Sequence, residues 1–98
     1  MSASAITAST TGASAWTSST GKAATVKDTK ADNRRAEARF QRAYLTSTTY
    51  YLRATGGYGD TASSGTGLGY SIGKITRMKA CATNNNPLDS TYCSTWQY

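Results

Sequence analysis

The chain contains no histidine. Its absence removes the commonest proton acceptor near neutral pH and most zinc or hydrolytic constellations. Acids are scarce: Asp28, Asp32, Glu37, Asp60 and Asp89 are the only carboxylate side chains. Glycosidase chemistry needs two facing carboxylates, and nothing in the spacing forces Glu37 towards Asp60 or Asp89. A ribonuclease-like set of Glu37, Arg39 and Arg53 is conceivable from residue type alone. No apolar run reaches the roughly 18 residues of a membrane-spanning helix. The glycine-rich stretch Thr55–Gly69 lacks the Lys and Ser/Thr of a P-loop and the spacing of a dinucleotide fingerprint. It reads as a surface loop, with Tyr58 or Leu68 as contacts if it binds anything. These gaps lead to the expectation of a non-enzyme that uses no cofactor and no metal.

Large apolar side chains are also few. Hydrophobic residues make up 38% of the chain, many of them alanine, and seven tyrosines stand against one phenylalanine. A thin core with amphipathic edges follows, since tyrosine needs a partner for its hydroxyl. Only two cysteines are present, Cys81 and Cys93. They lie at the inner ends of two strand-like runs, Tyr70–Cys81 and Thr91–Gln97. Between them is the turn chemistry of Asn84-Asn85-Asn86-Pro87. A Cys81–Cys93 bridge is the expected state and two free thiols the alternative. Closing a loop of roughly 13 residues restricts the unfolded chain by about 3 kcal/mol.

What is plentiful is Ser, Thr, Ala and Gly. The first 20 residues carry no charge, and residues 1–12 are expected to form a flexible or partner-ordered arm ahead of a single β domain at 13–98. Small β-tolerant side chains suit strand addition to an exposed sheet edge, which makes Ser2, Ala3, Ser4, Ala5, Ile6, Thr7 and Ala8 candidate partner contacts. Trp16 is the strong anchor of a first strand, Ala13–Thr17, and a further candidate contact. Ala23–Lys27 follows as a strand with Ala24 and Val26 buried, and Asp32-Asn33 suits a turn.

Arg34–Leu45 is compatible with two conformations. As a helix it has good formers, and Asp32 can cap it. As a strand it separates Ala36, Ala38 and Phe40 from Arg35, Glu37, Arg39 and Gln41 with period two. The β-like surroundings favour the strand. Thr46–Ala54 is the clearest strand, with Tyr50 and Leu52 on one face and Tyr51 and Arg53 on the other. Ile72 and Ile75 fall out of phase, which predicts a bulge near Gly73–Lys74. The fold class is thus all-β: a small antiparallel sandwich with a disulfide-closed C-terminal strand pair.

Eleven Lys and Arg against five acids give +6. Solubility alone accounts for such a balance. An acidic partner protein, an anionic cell-wall polymer or nucleic acid would put it to use. On a sheet, Arg35, Arg39, Arg77 and Lys79 share a face and offer planar, multi-donor recognition to an acidic partner. Nucleic acid is the less expected partner, because it calls for exposed aromatics beside the charges and only Tyr51 with Arg53 hints at that. Tyr58, Trp96 and Tyr98 are the candidates for carbohydrate stacking. The chain does not open with a basic end followed by an apolar stretch, yet its composition and even cysteine count suit an exported protein. A secreted chain whose signal peptide has been removed reconciles the two; a cytosolic protein with free thiols is the alternative.

Val26-Lys-Asp28-Thr-Lys-Ala31-Asp32-Asn33, the alternating Ala36-Glu-Ala38-Arg-Phe40, the glycine-rich middle and the closing Met78-Lys-Ala80-Cys81 and Tyr92-Cys93-Ser94-Thr95-Trp96 resemble small secreted proteins of filamentous actinobacteria. The resemblance covers Ala23–Trp96, and Asp28, Asp32, Cys81, Cys93 and Trp96 match best. Asn33 in place of a turn glycine and the basic Arg34–Arg42 run depart from the pattern. That group includes small adaptor subunits of umbrella-shaped antibacterial toxin particles. The resemblance therefore implies a β-sandwich joining larger secreted subunits, one of them lectin-like, with Met1–Ser19 as the linking arm. The expected function is a non-catalytic protein–protein interaction subunit. A binder of anionic polymer is the alternative, and a small hydrolase or nuclease a weaker one.

Overall fold

A computed structural model describes residues 6–18, 21–31, 34–43, 45–64, 74–84 and 91–98. Among the described residues, eight strands form two antiparallel four-stranded sheets: β1 (Thr7–Thr10), β2 (Ala13–Thr17), β3 (Ala24–Asp28), β4 (Arg34–Arg42), β5 (Leu45–Ala54), β6 (Thr61–Ser63), β7 (Ile75–Asn84) and β8 (Tyr92–Cys93). Sheet A runs β1-β2-β3-β6 and sheet B runs β5-β4-β7-β8. Sheet A packs across sheet B, with β1 and β2 over β7 and β3 over β4 and β5. The all-β sandwich expected from the sequence is the observed fold.

Period-two alternation builds the core. Ala13 and Ala15 of β2, Ala24 and Val26 of β3, Ala36, Ala38 and Phe40 of β4, and Met78, Ala80 and Ala82 of β7 face inward and are buried. Most of these are alanines. A buried CH₂ contributes about 0.8 kcal/mol, so each alanine adds only a fraction of what Val26 or Met78 supplies. Phe40 stacks on Tyr50 with ring centroids 5.5 Å apart. Arg42 closes this end of the core: its Nη1 donates to the Lys22 carbonyl at 2.6 Å, and its guanidinium lies 5.3 Å from the Phe40 ring centroid. Burial lowers the Arg42 pKa from its ordinary value, with Tyr50 pushing the other way.

Several expectations are corrected here. Residues 6–12 are not an arm. Thr7–Thr10 pair with β2 through a tight turn in which Gly12 adopts φ 94°, the left-handed region a side chain disfavours. Ile6 and Ala8 are buried. Thr17 fixes the entry: its N–H donates to the Ile6 carbonyl at 3.0 Å, and its Oγ1 accepts from the Ile6 N–H at 2.9 Å. Small side chains let β1 lie close over β7, and Ile6 supplies the anchor. Trp16 does not anchor the core. The inward residues of β2 are Ala13, Ala15 and Thr17, so Trp16 stands half-buried on the outer face of sheet A between its register partners Thr7 and Thr25.

The glycine-rich stretch is not all loop, since Thr61–Ser63 pairs with Thr25–Lys27. The bulge falls at Thr76, which the register skips between the Gln41–Arg77 and Arg42–Ile75 pairs, and it returns Ile75 to the buried side. The last strand shortens to Tyr92–Cys93, followed by an isolated bridge from Gln97 to Met78. The Asp32-Asn33 turn, Gly73 and the 85–90 turn chemistry lie outside the described residues.

Candidate functional site: the outer face of sheet B

The alternation that buries Ala36, Ala38 and Phe40 sends Arg35, Glu37, Arg39 and Gln41 to the opposite face of β4. Register then places their neighbours. Glu37 lies between Arg53 of β5 and Cys81 of β7, Arg39 between Tyr51 and Lys79, and Gln41 beside Arg77. The basic residues singled out from the sequence, Arg35, Arg39, Arg77 and Lys79, therefore occupy one face. Arg53 joins them. Among the described residues, Glu37 is the carboxylate of this surface.

Glu37 is fully buried. Arg39 Nε donates to its Oε1 and Arg53 Nε to its Oε2, both at 2.6 Å. Burying a lone carboxylate is costly, and charge-assisted hydrogen bonds to both oxygens offset that cost. Gln41 plays a parallel part. Its Oε1 accepts from Arg77 Nε at 2.7 Å, and its Nε2 donates to Thr49 Oγ1 at 3.1 Å.

Aromatic rings hold the same cations from another side. The Arg39 guanidinium carbon lies 5.3 Å from the Tyr51 ring centroid. Arg77 and Lys79 both lie over Trp96, at 4.2 and 4.7 Å. Cation–π contacts of this kind contribute about 0.5–1 kcal/mol where exposed. Trp96 reaches the face because the segment after β8 is pinned to β7. Ser94 N–H donates to the Ala80 carbonyl at 2.8 Å, and Ser94 Oγ accepts from Ala80 N–H at 3.1 Å. Gln97 and Met78 exchange backbone bonds of 2.8 and 2.9 Å. The Cys81–Cys93 disulfide joins the two strands at their directly opposed pair.

Chemically, this surface presents fixed cations rather than a proton acceptor. Glu37 is inaccessible and both its oxygens are engaged, which suits it to orienting arginines. The Glu37, Arg39 and Arg53 set is thus brought together, but with its carboxylate occupied. Asp60 accepts from Gly56 N–H at 2.8 Å in the loop after β5, and Asp89 lies outside the described residues. Among the described residues no group of His, Cys, Asp and Glu has the numbers to hold a metal ion.

The other predicted contacts are placed elsewhere. Ile6 and Ala8 face the core, and Thr7 is exposed on sheet A. Ser2, Ala3, Ser4 and Ala5 lie outside the described residues. Sequence reasoning missed Glu37, Gln41, Tyr51, Arg53 and Trp96 as organisers of the face. Period two put Glu37 and Gln41 on the side of Arg39 and Tyr51 and Arg53 together on one face of their own strand, and the register brings the two faces together. Trp96 carried no such signal, because the chain departs from strand after Cys93. The chain matches no protein-family model, no curated protein and no solved structure.

Proposed function

We propose that this protein is a non-catalytic interaction subunit of a secreted assembly, an adaptor that docks a larger protein subunit through the outer face of sheet B. The observation that carries this reading is the gathering of Arg35, Arg39, Arg53, Arg77 and Lys79 on one face, whose one described carboxylate, Glu37, is buried and held by Arg39 and Arg53. Complementary charge of this density steers association and selects acidic partners. The disulfide is compatible with an oxidising, extracellular location. The resemblance to actinobacterial secreted proteins supports an antibacterial toxin particle as the assembly, with a lectin-like subunit among the partners and residues 1–5 contributing to the link.

The test is recovery of the tagged full chain from culture supernatant of its native producer. The wild-type chain is expected to elute in a defined complex with a larger protein. Arg77→Glu with Lys79→Glu should reduce that complex at least about tenfold, because like-charge juxtaposition costs several kcal/mol. Equal complex formation by the charge-reversed chain would contradict this docking face. Retention on cell-wall glycan or oligonucleotide, with no protein partner, would favour the anionic-polymer reading instead.

A further inference from the structure

Arg39, Arg53 and Arg77 share an arrangement that simple surface basicity does not require. Each is held through Nε alone, the first two by Glu37 and the third by Gln41. Among the described residues, neither terminal nitrogen of any of the three has a hydrogen-bond partner. The Arg39 and Arg53 side chains are 26% and 52% exposed. Arg39 and Arg77 are additionally seated on Tyr51 and Trp96. The terminal Nη1/Nη2 edge of a guanidinium is the fork that grips a carboxylate with two parallel bonds. Anchoring through Nε and by stacking removes much of the rotamer entropy that binding otherwise costs.

We propose that Arg39, Arg53 and Arg77, with Lys79, form a preorganised receptor for the side-chain carboxylates of an extended acidic segment of the partner protein. The proposal rests on the adaptor reading and specifies the chemistry of its partner. Charge complementarity selects an anionic occupant, and the sheet geometry selects its shape. Alternate residues on one strand are spaced by about 6.6–6.8 Å, the spacing of Arg77 and Lys79 along β7. An extended peptide with Asp or Glu at every second position repeats at that distance, so successive carboxylates meet successive cations. Tyr51 and Trp96 each already carry a cation on the ring, which favours this occupant over a single-stranded nucleic acid that would stack its bases there.

The experiment titrates the full-length, disulfide-intact chain with a synthetic peptide of alternating Glu and Thr. A peptide of the same composition with its Glu residues in one block and an oligothymidylate serve as comparators. The alternating peptide is expected to bind most tightly. Arg39→Lys with Arg77→Lys keeps the charge and removes two forks, and should weaken binding about tenfold. Lys27→Gln, which removes a charge from the opposite face, should change it by less than about twofold. Undiminished binding by the double lysine variant, or tighter binding of the oligothymidylate, overturns the receptor. The peptide titration needs no assembly. A native complex that survives the lysine substitutions therefore removes the receptor while leaving the adaptor, and absence of any complex removes the adaptor whatever the peptide does.

Discussion

Replacing both Arg39 and Arg53 with alanine is expected to cost about 3–5 kcal/mol of folding stability, the usual cost of leaving one member of a buried ion pair without its partners. Glu37 has no solvent exposure, and its two oxygens each rely on one of these arginines. Gln41 is committed to Arg77 and Thr49 and does not replace them. The reciprocal change should be milder. Glu37→Gln leaves two guanidinium groups that are 26% and 52% exposed and can turn to water, so about 1–3 kcal/mol is expected. Denaturant unfolding of both variants reads the asymmetry directly. Equal losses, or a loss below about 1 kcal/mol in the double alanine variant, would mean that the carboxylate is not sequestered as described.

Removing the disulfide, by Cys81→Ser with Cys93→Ser, is expected to cost about 3 kcal/mol, from the entropy the unfolded chain regains when the loop opens. At this chain length that corresponds to a fall in Tm on the order of 10–20 °C. The loss is large relative to the few kcal/mol that hold a small domain together, and the alanine-rich core leaves little in reserve. It should also be uneven in its effects. β8 has two paired residues, and beyond it the chain is held to β7 by backbone bonds from Ser94 and Gln97. Opening the bridge frees that segment first, and Trp96 leaves Arg77 and Lys79. Thermal unfolding monitored by tryptophan fluorescence should therefore show the 92–98 segment loosening ahead of the sheets. A Tm within a few degrees of the wild-type value would contradict this.

How much of this was legible follows from where each strand gets its energy. β5 was readable because its own alternation carries the signal, Tyr50 and Leu52 against Tyr51 and Arg53. In β4 the split of Ala36, Ala38 and Phe40 from Arg35, Glu37 and Arg39 was matched by helix propensity, and only the β-like surroundings decided for the strand. The same alternation made the basic face foreseeable. Thr7–Thr10 was not readable, because Thr-Ala-Ser-Thr carries no large side chain. Its stability comes from neighbours, namely the β2 ladder, the Thr17 bonds to Ile6 and the surface of β7 beneath. Thr61–Ser63 was obscured in the same way within a glycine-rich stretch. Trp16 misled because size was taken for burial, whereas a strand's inward residues are set by phase, and Ala13, Ala15 and Thr17 hold the inward phase. The buried state of Glu37 was also out of reach of the pattern. It depends on two arginines from adjacent strands closing over one carboxylate, a register relation that local sequence does not encode.

The central claim is that the cations of sheet B act through their fixed geometry and not through charge alone. The affinity of Glu37→Gln for the alternating Glu/Thr peptide separates the two by sign. The substitution makes the face one charge more positive while leaving a single acceptor oxygen where two held Arg39 and Arg53, so one of the two arginines loses its anchor. Fixed geometry predicts weaker binding of the acidic peptide, by about tenfold, since a freed guanidinium must be ordered again on binding. Tighter binding by the folded variant would show that the face is a simple electrostatic surface.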